Sequence, residues 1–230
     1  MSARLFAPTP ASSSILRAMP PSDETFQRLS AHAPRTWQRM LSGRRLNLIE
    51  PSPLDIEITD IARGLSRNTR WNGQTVGDHA WSVAQHSVFV VRLMDGFRPR
   101  PPAWVRLAGL LHDGSEYVTH DLITPLKSVV GDVFKEVEGR LMEAIHIRFG
   151  LPPRLPPEVK ALIKKADLIA GATEAVQLAG FAPEEVRSVL GMRHKPAAKV
   201  VLSPLPSREA EAQFLATFET LCKAVELERH

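Results

Sequence analysis

The chain has 230 residues, 43% hydrophobic and 23% charged, the balance of an ordinary globular protein long enough for one well-buried domain. No apolar run approaches the roughly 20 residues of a membrane-spanning helix, because Arg92 and Arg106 interrupt the longest candidates, Val88–Val91 and Leu107–Leu111; a soluble, cytoplasmic protein is expected. The net charge of +4 is concentrated in residues 1–49, where seven Arg face only Asp23 and Glu24, so a near-neutral body is left without the charge for a broad nucleic-acid groove.

Residues 1–21 are rich in Ser, Ala and Pro, carry Arg4 and Arg17, and contain no acid. That composition fits a transit peptide or an unstructured tail, and a tail is expected. Residues 1–45 are therefore read as a basic arm, partly disordered. Phe26–Leu41 shows some helical pattern, with Trp37 as an anchor onto the domain. The domain itself spans residues 46–228. Pro51 and Pro53 mark an extended entry, Leu54–Thr59 alternates briefly, and Asp60–Leu65 suits a short helix. Asn72-Gly73 reads as a turn.

Asp78 is a candidate cap for a helix to about Met94, with Val83, His86, Val90 and Leu93 on one stripe. Arg98–Pro102 is a Pro-rich loop. A second helix is expected from Pro102 through the apolar Leu107–Leu111 to His112, Asp113 and Glu116. Asp132 is placed to cap a third, ending at Gly150, with Phe134, Val137, Leu141 and Ile145 inward. Prolines keep residues 151–157 out of helix, and Pro157 opens a fourth helix through Ile163, Asp167, Ala170 and Glu174. A last amphipathic helix covers about Ser207–Glu226. Strand-like alternation is scarce, so the fold class is all-α, a single-domain helical bundle.

The single cysteine, Cys222, excludes an intrachain disulfide and a cysteine-based zinc site. Its Phe214/Phe218/Leu221 surroundings assign it to the core. Four other residues are harder to place in a core. His86 interrupts an apolar stripe, His112-Asp113 follows an apolar run, and Asp167 sits between Ile163 and Ala170. An unpaired charge on such a face is costly, and taken singly each is accounted for by a satisfied core histidine, a cap or an ion pair. Taken together they point to a shared divalent metal, since imidazoles with carboxylates suit zinc, cobalt, manganese or iron.

At these residues the sequence resembles a known family. Ala84-Gln85-His86-Ser87, Leu110-Leu111-His112-Asp113 and Lys165-Ala166-Asp167 are similar to the H…HD…D signature of HD-domain metal-dependent phosphohydrolases. The likeness covers roughly residues 46–178. His112-Asp113-Gly114-Ser115-Glu116, with Asp121 through Lys127, resembles the 5′-deoxynucleotidase branch and the small deoxynucleoside triphosphohydrolases. The resemblance implies the HD-type helical bundle and one divalent transition metal per chain, held by His86, His112, Asp113 and Asp167. It implies catalytic roles for Glu116 and Asp121, and substrate contacts from Arg70, Trp71 and Lys127. Gln85 departs from the deoxynucleotidases, which carry an acid there, so monophosphate and triphosphate substrates both stay open. The expected activity is hydrolysis of nucleotide phosphate esters, deoxynucleotides above all, by a homo-oligomer with no nucleic-acid or membrane partner. The alternative is a metal-bound module that senses a nucleotide without turnover. His79, His120, His146 and His194 have no matching role and are expected in loops or at the surface.

Overall fold

A short antiparallel hairpin precedes the helices, β1 (Trp37–Arg39) pairing with β2 (Arg45–Asn47) so that Gln38 faces Leu46. The computed structural model describes Ala31, residues 35–122 and residues 131–229, so most of the arm and Lys127 lie outside the described residues. Leu46 is fully buried and fastens the hairpin to the body. Trp37 is half-buried beneath the Arg45 guanidinium, 4.0 Å from its ring centroid. Residues 37–39, assigned from sequence to a helical pattern, are thus extended. The antiparallel pairing with β2 outweighs a weak local periodicity.

Eight α-helices follow among the described residues. They are α1 (Ile58–Arg67), α2 (Val83–Asp95), α3 (Ala103–Leu110), α4 (Glu116–Thr119), α5 (Asp132–Arg148), α6 (Pro157–Gln177), α7 (Pro183–Ser188) and α8 (Ser207–Glu228). The all-α expectation holds, with one two-stranded sheet added. No described helix is long and apolar enough to cross a membrane.

Helix α2 is the central post, packed on α1, α3, α6 and α8. It is buried along almost its whole length, polar Gln85, His86 and Ser87 included. Its start differs from expectation. Ser82, not Asp78, is the N-cap, its Oγ accepting from the Gln85 backbone N–H at 3.2 Å. Residues 69 and 82 bridge instead, closing the preceding segment into a loop.

The second expected helix is also broken. Helix α3 stops at Leu110, residues 111–115 form tight turns, and α4 restarts at Glu116. Gly114 sits at the break, where a Cβ would lie 2.9 Å from the Leu111 carbonyl oxygen. Gly and Ser at 114 and 115 are poor helix formers, and the turn takes the place of another helical turn. A second close approach fixes α1 against α4: a Cβ on Gly64 would meet Tyr117 Cβ and its carbonyl oxygen, each at 2.7 Å. Helix α8 closes the bundle with Ala210, Phe214 and Leu221 buried; Cys222 is half-buried against the same core, and burial pushes its thiol pKa up.

Candidate metal centre

The break after α3 turns His112 and Asp113 inward. The His112 Nδ1–H donates to the Gly109 carbonyl at 2.9 Å, which directs Nε2 away from the helix. On α2, His86 is fully buried, and its Nδ1 lies 2.6 Å from Glu174 Oε1 on α6. Both rings are therefore anchored through Nδ1. Both Nε2 atoms are buried and have no hydrogen-bond partner among the described residues. The ring centroids stand 5.3 Å apart. Asp167 from α6 completes a group in which His86, His112 and Asp167 donor atoms all lie within 4.8 Å of one another. Asp113 joins it, with Oδ2 at 3.6 Å from His86 Nε2 and 3.1 Å from His112 Nε2.

Two bare imidazole lone pairs facing two carboxylates form a donor set that could hold a divalent metal ion. Buried acceptors of this kind are costly unless something completes them. In the metal-free site a proton competes for the same atoms. Burial alone would raise the Asp113 and Asp167 carboxyls, but the neighbouring histidines outweigh it and hold both below the usual carboxylate range. Burial and the Arg70 charge pull His86 down, but Glu174 and Asp167 prevail and lift it to about 9 in the metal-free site.

Glu174 was not singled out from sequence, and it organises the far side of the centre. It is fully buried. One carboxylate oxygen takes His86 Nδ1; the other accepts from Arg70 Nε at 2.8 Å and Trp71 Nε1 at 3.1 Å. A carboxylate behind a metal-binding imidazole fixes its tautomer and raises its basicity. The signal was available, because Glu174 lies seven residues after Asp167, two turns along one face of α6.

Arg70 and Trp71 reach Glu174 through an unusual backbone. Trp71 and Asn72 have φ of 57° and 53°, and Gly73 follows at 72°. Positive φ at a bulky residue is a strained conformation held only by its surroundings. Here those are the Arg70 N–H to Trp81 carbonyl bond, 2.9 Å, and the contact of the Trp71 ring with Phe181 at 5.8 Å. Beyond Glu174, Arg70 Nη1 lies 4.0 Å from Asp113 and 3.9 Å from Asp121. Burial lowers the Arg70 pKa, but these three carboxylates more than reverse that.

The other site candidates fall as follows. Glu116 is 4% exposed at the start of α4, its N–H bonded to the Asp113 carbonyl at 3.0 Å. Asp121 is half-buried beside Arg70. Gln85 points elsewhere: its side chain binds Ser203 O and Leu205 N, stapling the segment before α8. His146 is not at the surface as expected. It is 6% exposed on α5, its Nδ1 3.0 Å from Pro153 O, and burial, then the Lys160 charge, lowers its pKa.

A cleft of about 590 Å³ opens beside the centre, between α5 and α6, with His112, Asp113 and Asp167 in its wall. No family model matches the chain. An uncharacterized protein of Rhodobacter capsulatus is 46% identical over 192 residues, which cover 83% of this chain and 98% of that protein. The chain belongs to the family of that protein.

Proposed function

We propose that this chain is a metal-dependent phosphohydrolase of the HD type, acting on nucleotide phosphate esters and on deoxynucleotides in particular. One observation carries this reading: the two buried, unbonded Nε2 atoms of His86 and His112 converge with Asp113 and Asp167. His86, His112, Asp113 and Asp167 would hold the ion. A divalent metal there would supply a more acidic water and take up negative charge developing on a phosphate. The chain's own residues would do the rest. Glu116, buried at the start of α4, is assigned on the resemblance to orient the attacking water and accept its proton. Asp121 is the candidate to return a proton to the leaving oxygen. Arg70, held by Glu174 through Nε, keeps its Nη groups toward the site carboxylates, where a planar cation suits phosphate oxygens. Trp71 is assigned to the sugar, and Lys127 to a phosphate on the resemblance alone.

The test is a panel of ribo- and deoxynucleoside mono- and triphosphates with zinc, cobalt, manganese and iron, scoring orthophosphate against tripolyphosphate. Metal-dependent release that falls about 10²-fold or more in Glu116→Gln is expected on loss of a general base. Absence of release from every substrate with every metal would overturn the proposal.

A further inference from the structure

The cleft beside the metal centre has an uneven distribution of charge. Its floor is apolar, with Met142, Leu155 and Ile163, whereas Lys160, Lys164 and Arg154 line it together with Glu143 and the centre's own Asp113 and Asp167. Glu143 is already engaged by Arg154 Nε at 2.6 Å. On the opposite side of the centre Arg70 is matched, among the described residues, by Glu174, Asp121 and Asp113. A ligand extending past the metal into this cleft would meet, at Lys160, a cation that no described carboxylate already matches.

Helix α6 sets the spacing. Lys160, Lys164 and Asp167 follow at four and three residues, which puts them on one face, and Glu174 continues it two turns on. Lys164 Nζ lies 2.7 Å from Asp167 Oδ2. It is thus adjacent to any oxygen that shares an ion with Asp167. Lys160 stands one turn farther out and forms no ion pair with a described residue. From Asp167 to Lys160 the axis advances roughly 10 Å at 1.5 Å per residue, a span suited to a short phosphate chain more than to one phosphate.

We infer that the α6 rim of this cleft, Lys164 and then Lys160, is the subsite for the outer phosphates of a polyphosphorylated ligand whose first phosphate lies at the metal centre. The inference rests on the metal-centre reading above and narrows it toward triphosphates. Lysine is suited to this task, because its mobile point charge can follow a flexible chain of phosphate oxygens.

The test is calorimetric and does not read turnover. Magnesium-saturated tripolyphosphate and orthophosphate are titrated into metal-loaded protein, with metal content verified afterwards. Tripolyphosphate should bind at least tenfold more tightly than orthophosphate. Lys160→Ala should weaken tripolyphosphate about tenfold, the worth of one charge-assisted contact, and leave orthophosphate within twofold, with Lys160→Arg restoring most of the loss. Lys164→Ala should weaken both anions. Lys165→Ala removes the same charge from a side chain that packs on Phe97, and should change neither. Equal binding of the two anions by the wild type, or equal effects of Lys160→Ala and Lys165→Ala, would overturn the subsite. Failure to hydrolyse any nucleotide would refute the hydrolase reading separately and leave this titration to be decided by its own result.

Discussion

Replacing Glu174 by Gln preserves its size and removes its charge from a fully buried polar junction. Three donors meet there: His86 Nδ1 at 2.6 Å, Arg70 Nε at 2.8 Å and Trp71 Nε1 at 3.1 Å. With Glu174 fully buried and the Arg70 side chain only 14% exposed, the change leaves a guanidinium largely out of water without its main partner. Breaking a buried pair in this way costs about 3 kcal/mol or more, which for a domain of this size lowers Tm by roughly 6–12 °C. The second consequence is at the metal. An imidazole without its anchoring carboxylate is less basic and free to present the wrong tautomer, and loss of such a support lowers metal affinity about 10–100-fold. Thermal melts of the metal-free protein and competition with a chromogenic chelator measure the two effects independently. The double variant Arg70→Met/Glu174→Gln separates them further, because it removes the stranded cation. It should melt above Glu174→Gln while its metal affinity stays low. Wild-type metal affinity in Glu174→Gln would refute the argument that Glu174 orients His86, and would leave it as an ion-pair partner of Arg70 only.

Elemental analysis of the purified protein should find about one transition metal per chain, the stoichiometry of a mononuclear site; His112→Ala should lose it, and full occupancy in that variant would remove His112 from the ligand set. His146 supplies a pH dependence whose sign follows from its lowered folded-state pKa. The unfolded chain takes up the proton first as pH falls through about 6.5, so stability is intact above that pH and declines below it. His146→Gln should flatten the decline in Tm between about pH 6.5 and 5 relative to wild type, and an unchanged slope would mean that other groups carry it. Gly64→Ala should destabilise by about 1–3 kcal/mol through overpacking, since its Cβ would lie 2.7 Å from the Tyr117 carbonyl oxygen; a melt within about 1 °C of wild type would show that α1 and α4 can separate at no cost.

What the sequence determined by itself was mostly what periodicity can carry. The spacing of apolar residues located α2, α5, α6 and α8 to within a few residues, and the polar interruptions at His86, His112-Asp113 and Asp167 stood out because they broke that spacing. Pro157 opened α6 where a fixed φ and a missing N–H favour it. Weaker local signals were overridden. Asp78 was expected to cap α2, but Ser82 does so beside its bridge to Thr69, a contact between residues thirteen apart. The hairpin at Trp37–Asn47 required pairing that one strand's pattern cannot announce, and α7, at six residues, is too short to show a period.

The tertiary structure alone decided what each polar residue faces. Gln85 and His86 are neighbours on one helix, yet about 100° of rotation sends the first to Ser203 and Leu205 and the second to the centre. Glu174 and His146 looked like ordinary helix positions because their partners come from 88 residues away in one case and from a Pro-rich loop in the other. A sequence shows which side chains are expensive to bury. Only the packing of α2, α3 and α6 shows that their bare atoms point at one another, and it is that convergence, more than any single residue, that makes a set of donors able to hold a metal.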